Sequence, residues 1–243
     1  MHKPILGVLG GVGPLATAYF MELVIKKTPA EKDQDNIPMI VFNDPQIPDR
    51  TAYILDHSYP NPQPEMVKVA RWLEKAGSDY IAIPCNTAHY FYDAIVDSVN
   101  IPVVSIMEET TKQAAKQVMP GGKIGLMATK GTISSQVFQN YLEKAGLETI
   151  TPNEEDQKIV TSIIYDCVKS NKPYDKEEFL NVIQHLKDQG ADLVVIGCTE
   201  LSVVYQDLKD EMPNWVFDAL DALADRCVEF YIEARKNDGQ LEV

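Results

Sequence analysis

The sequence predicts an α/β protein of two similar, pseudo-symmetric domains, each a mostly parallel sheet flanked by helices, with the active site in the interdomain cleft. Short apolar runs alternate with amphipathic helical periodicity along all 243 residues. The two halves also repeat the same order of motifs. Because no low-complexity linker or long charge run separates them, we expect a tight connection near residues 105–110.

The first half contains four predicted strands. They are short apolar runs bounded by turn residues, at positions 5–9, 39–42, 80–83 and 103–106. Residues 64–76 carry apolar side chains three or four positions apart, which is typical of an amphipathic helix. Alternation of this kind favours parallel strands covered by helices.

The second half repeats the pattern, with predicted strands at 123–127, 149–151 and 192–196 and helices at 136–145 and 176–189. A last helix is predicted from 215 to 236, and it could pack on either half. Its apolar stripe consists of Phe217, Leu220, Leu223, Cys227 and Phe230. We assign residues 1–106 and 212–243 to the first domain and residues 107–211 to the second.

Charge and hydropathy exclude several classes of partner. The chain has 22 Lys and Arg against 36 Asp and Glu, so its formal charge is 22 − 36 = −14, which repels nucleic acid and anionic lipid. The apolar runs are shorter than the roughly 18 residues of a membrane-spanning helix. Glycines interrupt the apolar stretch that starts at Ile5, so we expect a strand and turn there and not a secretion signal. A cytoplasmic location with reduced thiols is the expectation.

Two cysteines occupy equivalent places in the two halves. Cys85 and Cys198 each end an apolar run and precede residues suited to a helix start, Asn86-Thr87 and Thr199-Glu200. A thiol at the end of a buried strand and facing a helix N-terminus suits acid–base or nucleophilic chemistry. Two such thiols predict a paired site acting on opposite faces of one small substrate.

Other roles for the cysteines and histidines are less favoured. Cys167 and Cys227 lie in helical stretches and are interpreted as small buried hydrophobes. The chain has no C-x-x-C spacing and only four histidines, so we expect no metal site, and a redox pair would lack its usual motif. His89, four residues after Cys85, is interpreted as a helix-surface residue or as a neighbour that tunes Cys85.

The turn from Gly11 to Ala16 formally fits the G-x-G-x-x-A dinucleotide pattern. The next acidic residue at a strand end, Asp44, comes 44 − 13 = 31 positions after Gly13, whereas about 20 are expected for a ribose-binding carboxylate. Pro14 also removes an amide from the turn. The pattern therefore favours backbone amides exposed to a small carboxylate over a nucleotide cofactor.

At these motifs the chain resembles the aspartate/glutamate racemase family, most closely its aspartate racemase branch, over essentially its whole length. The matching segments are 10–14, 48–51, 84–89, 128–132, the segment around Lys169, and 197–201. The two cysteine motifs together are specific, whereas the other segments would be weak alone.

The resemblance implies two similar α/β domains with the site between them, catalysis without a cofactor, and a homodimer. It makes Cys85 and Cys198 the two acid–base residues and makes Arg50 and Lys169 the cations on the substrate side. Glu200 stands where glutamate-specific racemases generally have histidine, which favours the aspartate-type or broad amino-acid branch. The remaining substrate-binding residues that it implies are Asn86, Thr87, Ala88, Thr129, Thr132 and Thr199.

The predicted function is racemisation of a small amino-acid substrate, aspartate or also glutamate and a broader set, by proton transfer between two cysteines. Other enzymes of the same superfamily stay open as alternatives, namely a hydantoin racemase, a maleate isomerase or a malonate decarboxylase. A dicarboxylate-binding protein without catalytic activity is the alternative from a different class.

Overall fold

Two parallel sheets with the same pattern of strand order form the framework of the protein. The computed structural model describes residues 3–237. The first sheet has the order β2-β1-β3-β4 and consists of β1 (Leu6–Gly10), β2 (Met39–Asn43), β3 (Tyr80–Ala82) and β4 (Val103–Val104). The second has the order β6-β5-β7-β8 and consists of β5 (Lys123–Met127), β6 (Glu148–Ile150), β7 (Leu193–Ile196) and β8 (Val216–Asp218). Every pairing is parallel, which confirms the predicted fold class.

Helices connect and cover the strands. In the first half these are α1 (Pro14–Lys27), α2 (Arg50–Leu55), α3 (Gln63–Lys75), α4 (Tyr92–Val96) and α5 (Ile106–Gln117). In the second half they are α6 (Lys130–Ser134), α7 (Val137–Lys144), α8 (Glu154–Ser162), α9 (Lys176–Asp188), α10 (Thr199–Asp207) and α11 (Ala219–Asn237). Two shorter segments matter for the site, a 3₁₀ helix at Thr87–Phe91 and a π-helical segment at Ile163–Val168. Among residues 3–237, no helix has the length and apolarity that crossing a membrane requires.

An apolar core shared by both sheets joins the two halves. In β7, Leu193 and Val195 lie in this shared core, whereas Val194 and Ile196 lie in a separate core on the other face of the second sheet. β3 alternates in the same way between the shared core and an outer core of the first sheet. Because successive side chains of a strand point to opposite faces, each inner strand contributes to two cores.

The last helix, α11, belongs to the shared core. Its Leu220, Leu223 and Cys227 are fully buried there, as the predicted stripe requires. The Tyr80 hydroxyl of β3 donates a hydrogen bond of 3.0 Å to the carbonyl of Cys227, and the ring of Tyr80 stacks on that of Phe230 at 4.3 Å. α11 therefore packs on the first sheet although it follows the last strand of the second.

Two predicted boundaries were wrong by two residues or more. The last helix does not start at residue 215, because Val216–Asp218 form β8 and pair with β7 through Val194↔Val216 and Ile196↔Asp218. The strand predicted at 103–106 ends at Val104, since the Ser105 side chain caps α5 by accepting the Glu108 amide. The domain division stays a prediction; β8 completes the second sheet, and residues 1, 2 and 238–243 lie outside the described residues.

A candidate site residue follows the carboxyl end of each inner strand, β1, β3, β5 and β7. Gly11 follows β1, Cys85 lies three residues after β3, and Thr129 and Cys198 each lie two residues after β5 and β7. In open parallel sheets, ligands bind beyond the carboxyl ends of the strands. The duplicated sheets therefore bring two equivalent strand ends from each half toward one site.

The turn after β1 yields a test of backbone constraint. Gly11 has φ +84°, and a Cβ there would lie 2.2 Å from the Asp44 backbone, whereas Gly146 has φ +75° and open space around it. We expect Gly146→Ala to cost about 1 kcal/mol from left-handed strain alone, and Gly11→Ala to cost about 3 kcal/mol or more because the clash adds to the strain. Urea unfolding of both variants measures this, and equal losses would contradict it.

Candidate active site

The Cys85 thiol is buried, with 5% of the residue exposed, and is surrounded by hydrogen-bond donors and cations. The Ala88 backbone amide bonds to it, and the Arg50 guanidinium lies beside it. Burial raises the pKa of the Cys85 thiol, and Arg50 and the Ala88 amide partly offset this rise. The local sequence places the Ala88 amide there because the 3₁₀ helix starts at Thr87, two residues after Cys85.

The Cys198 thiol is equally buried but has a different partner. Cys198 is the N-cap residue of α10, and its Sγ donates to Oε2 of Glu200 over 3.2 Å. The Glu200 backbone amide also bonds to this thiol. Burial and the Glu200 carboxylate raise the pKa of Cys198 well above its ordinary value. The two equivalent thiols thus face groups of opposite charge.

An ion cluster links the two halves next to the thiols. Lys169 Nζ lies 3.3 Å from Asp49 Oδ2 and 3.8 Å from Glu200 Oε1, and 4.2 Å above the ring of Tyr165. The Tyr165 hydroxyl also donates to Asp49 over 3.3 Å. Burial opposes the charge of Lys169, but the Glu200 and Asp49 carboxylates outweigh it and raise the pKa of Lys169 to about 12. Lys169 is therefore a permanent cation of the site.

Arg50 is a buried cation that keeps one donor free. Its Nη1 donates to the carbonyl oxygens of Ile47 at 3.3 Å and Pro48 at 3.0 Å, which fixes the guanidinium against its own loop. Its Nε is buried and has no hydrogen-bond partner among the residues that the structure describes. A buried donor without a partner costs about 1–3 kcal/mol, so Arg50 has a donor available for a ligand.

Three threonine hydroxyls form a closed triangle across the two halves. Thr87 Oγ1 lies 2.9 Å from Thr129 Oγ1 and 3.0 Å from Thr132 Oγ1, and the last two lie 3.1 Å apart. Thr129 also caps α6 by accepting the Thr132 amide. The triangle holds the 3₁₀ helix after Cys85 against the first turn of α6.

Two predicted binding residues are buried without partners. Asn86 and Thr199, the residues that follow Cys85 and Cys198, are each 1% exposed. Within residues 3–237, the side-chain Nδ2 and Oδ1 of Asn86 and the Oγ1 of Thr199 have no hydrogen-bond partner. Such groups are normally paired, and here an unpaired polar group follows each thiol, although neither residue lines the inner or the outer cavity.

The cleft is closed around the thiols. The inner cavity, which Cys85, Thr87 and Thr129 help to line, has a volume of about 10 Å³, enough for about one water molecule. A larger outer cavity of about 440 Å³ opens beside it, bounded in part by Gly11, Gly13 and Pro14. Both cavities share one charged wall, which consists of Asp49, Arg50, Lys169 and Glu200. The space beside Cys85 is too small for an amino acid, so a substrate can contact this thiol only if the wall moves.

Cys198 does not line the inner cavity. Its thiol bonds to Glu200, and Glu200 lines both cavities. Glu200 also explains the glycine turn, since a Cβ on Gly13, which has φ +125°, would lie 2.6 Å from Glu200 Oε1. The Glu200 carboxylate therefore explains why position 13 is glycine, and the G-x-G-x-x-A pattern of this turn does not require a bound dinucleotide.

His89 is an internal support for Cys85, so its interpretation as a helix-surface residue was wrong. The ring is buried; its Nε2 accepts the Ile106 amide at 3.2 Å, and Nδ1 consequently donates to the Cys85 carbonyl at 2.9 Å. Burial lowers the pKa of His89 to about 4. The neutral ring joins the cysteine turn to the start of α5.

Five of the ten predicted site residues line the inner cavity, namely Arg50, Cys85, Thr87, Thr129 and Lys169, and five do not, namely Asn86, Ala88, Thr132, Cys198 and Thr199. Roles for Asp49 and Tyr165 were missed, because they depend on contacts between distant segments, whereas Glu200 was singled out from the sequence as a departure from the glutamate-specific pattern. Only the capping role of Asp49 could have been predicted from the sequence, because aspartate is a common N-cap residue. Its side chain does cap α2 by accepting the Ala52 amide. All four cysteines are free, and the described part of the chain contains no cluster of three or more His, Cys, Asp or Glu suited to a metal ion.

Two parallel sheets of the same strand order, each with a buried thiol beyond an inner strand, define a two-domain α/β protein. The chain belongs to the Asp/Glu/hydantoin racemase family, whose model matches residues 9–227. The family resemblance predicted from the motifs is thereby confirmed.

Individual relatives agree with this assignment. The chain is 31% identical over 235 residues to the broad specificity amino-acid racemase RacX of Bacillus subtilis, which covers 93% of this chain and 98% of that relative. It is 28% identical to the solved Picrophilus torridus aspartate racemase, with a TM-score of 0.78 and 94% of both chains covered. Glutamate racemase isoform RacE1 from Bacillus anthracis shares the fold at 19% identity, with a TM-score of 0.68 over 99% of this chain and 84% of that one.

The buried His89 predicts a pH dependence of stability. Its pKa is lowered to about 4 in the folded protein from an ordinary 6.5, so the unfolded chain binds the proton more tightly. Stability is therefore lost as the pH falls from about 6.5 toward about 4, by about 3 kcal/mol from this group. His89→Gln should flatten the pH dependence of unfolding by that amount, with His57→Gln as the exposed control. Identical pH dependence in wild type and His89→Gln would contradict this.

Proposed function

We propose that the protein is a cofactor-independent amino-acid racemase in which Cys85 and Cys198 exchange protons with Cα from opposite sides. The observation that carries this proposal is the pair of buried thiols at equivalent strand ends, which share Lys169 and Glu200 as charged neighbours. The shared charged neighbours support a single site in which both thiols act on one small molecule.

Racemisation needs a base on one face of Cα and an acid on the other. A free thiol has a pKa of about 8.5, so only about 3% is thiolate at neutral pH. The Arg50 guanidinium and the Ala88 amide favour the thiolate at Cys85, while Glu200 favours the protonated form at Cys198. One thiolate and one thiol are the pair that a single proton-exchange event requires.

The carbanion-like transition state adds negative charge next to the substrate carboxylate. Lys169, the amide and hydroxyl donors around Thr87, and the amides at the start of α10 are candidate partners for that charge. Asn86 and Thr199 have polar atoms still to be paired. These preorganised donors take the place of an electron-withdrawing cofactor.

Aspartate is the substrate that we propose to test first. The free Nε of Arg50 and the cation of Lys169 could receive its second carboxylate. Relatives include an aspartate racemase and a broad specificity amino-acid racemase, so the first assay should cover a panel of L- and D-amino acids without added cofactor.

Removing either thiol should stop the reaction. We expect Cys85→Ala and Cys198→Ala each to lower kcat by about 10³-fold or more, and the serine variants to leave at most a trace, because a hydroxyl is a much weaker acid. Chiral chromatography of the incubated amino acid measures this. Cys167→Ala, which alters a half-exposed thiol outside the cavities, should stay near wild type. Full activity in both single alanine variants would refute the two-thiol mechanism.

Arg50 variants separate its charge from its geometry. Arg50→Ala should raise KM for aspartate at least about tenfold more than for alanine, and it should raise the Cys85 pKa and move the acidic limb of kcat/KM to higher pH. Arg50→Lys keeps the charge but loses the planar fork, so the pH profile should recover while the KM for aspartate stays high. Equal KM changes for both amino acids would remove the carboxylate assignment.

A further inference from the structure

Glu200 contacts the acid–base pair from one side only. Its Oε2 accepts the hydrogen bond of Cys198 at 3.2 Å, and its Oε1 lies 3.8 Å from the Lys169 ammonium. Glu200 pairs with the ammonium as a carboxylate, and a carboxylate can only accept a hydrogen bond. The geometry therefore requires the proton to be on the sulfur of Cys198.

Cys85 lies in the opposite environment. Its neighbours are the Ala88 amide and the Arg50 guanidinium, both of which are donors. Each thiol also accepts one backbone amide, that of Ala88 for Cys85 and that of Glu200 for Cys198, so the difference in charge comes from side chains. The first half supplies a cation next to its thiol, and the second half supplies an anion.

We infer that Glu200 is a positioning residue that keeps the proton on Cys198, so that the resting enzyme holds Cys85 as the base and Cys198 as the acid. This inference rests on the proposed two-thiol racemisation and assigns the role of each thiol in it. Glu200 itself transfers no proton to the substrate.

The proton balance follows directly. The Cys85 thiolate takes the α-proton of the enantiomer that faces it, and the electron pair left on Cα takes the proton of the Cys198 thiol from the other face. The enzyme is left with a Cys85 thiol and a Cys198 thiolate. This thiolate lies beside the Glu200 carboxylate, and like charges so close repel. The repulsion favours return of one proton from Cys85 to Cys198, with water as carrier.

Other charged groups also act on Cys198 and Glu200. The start of α2 contributes Asp49 and Arg50, and the π-helical segment and the residue after it contribute Tyr165 and Lys169. Lys169 favours a thiolate at both cysteines, so it does not distinguish them. Glu200 disfavours a thiolate at both, but only Cys198 is hydrogen-bonded to it.

Alkylation tests this assignment without any substrate. Only thiolates react readily with iodoacetamide, so the rate at each cysteine at neutral pH, read by mass spectrometry of its peptide and divided by its own rate at high pH, reports its thiolate fraction and not its accessibility. In the wild type, Cys85 should react about tenfold or more faster than Cys198, which corresponds to one unit of pKa. Glu200→Gln should then accelerate Cys198 about tenfold and Cys85 clearly less.

Internal controls separate charge from access and folding. If Glu200→Gln merely opened the cleft, both thiols would accelerate equally, and that result would overturn the inference. Cys227 is fully buried in the shared core and reports unfolding if it reacts. If the Glu200→Gln variant unfolds, Glu200→Asp is the second test, because it keeps the negative charge. Its Cys198 alkylation rate should stay within about threefold of wild type. A larger rise would count against the inference.

The remaining outcomes are equally decisive. A Cys198 that reacts faster than Cys85 in the wild type, or that is not accelerated by Glu200→Gln, would overturn the role of Glu200. Neither result would touch the proposed racemisation, which chiral chromatography of the single cysteine variants tests separately.

Discussion

Four charged side chains, Asp49, Arg50, Lys169 and Glu200, close the cleft between the sheets, and Lys169 lies within 4 Å of both carboxylates. Arg50 and Glu200 are 7% and 6% exposed, and a buried charge that loses its partner destabilises a protein by about 3–5 kcal/mol. Asp49 and Arg50 come from the first half, whereas Lys169 and Glu200 come from the second. The pairing of Lys169 with Asp49 therefore requires the two halves to be in contact, and this contact brings the cysteine segments of both halves to the same cleft.

The shared apolar core provides the rigid support for this cluster. Inner strands of both sheets contribute side chains to it, and α11 packs into it from the end of the chain. The threonine triangle and His89 then fix the cysteine turn of the first half from two directions. The wall of the inner cavity, in contrast, consists of charged side chains, and those of Asp49 and Lys169 are partly exposed. The molecule thus combines a fixed frame with a wall that a substrate can displace.

Much of this was predictable from local patterns. β5 was predicted at its observed bounds, and both cysteine strands were found, because short apolar runs between turn residues are a local signal. β8 was missed because the spacing of Phe217, Leu220 and Leu223 also fits a helix, and only pairing with β7 decides between the two. The bond between Cys198 and Glu200 spans two residues, yet it depends on how α10 begins, which propensity does not determine.

Duplication explains why the thiols are equivalent in position, and the ion cluster explains why they differ in charge environment. The central claim is that two separate groups exchange protons with Cα. It is tested most directly by following racemisation of one enantiomer in deuterated water during early turnover. The account predicts that the product enantiomer carries deuterium at Cα while the remaining starting enantiomer keeps its hydrogen. Deuterium appearing equally in both enantiomers from the start would indicate a single base and contradict the account.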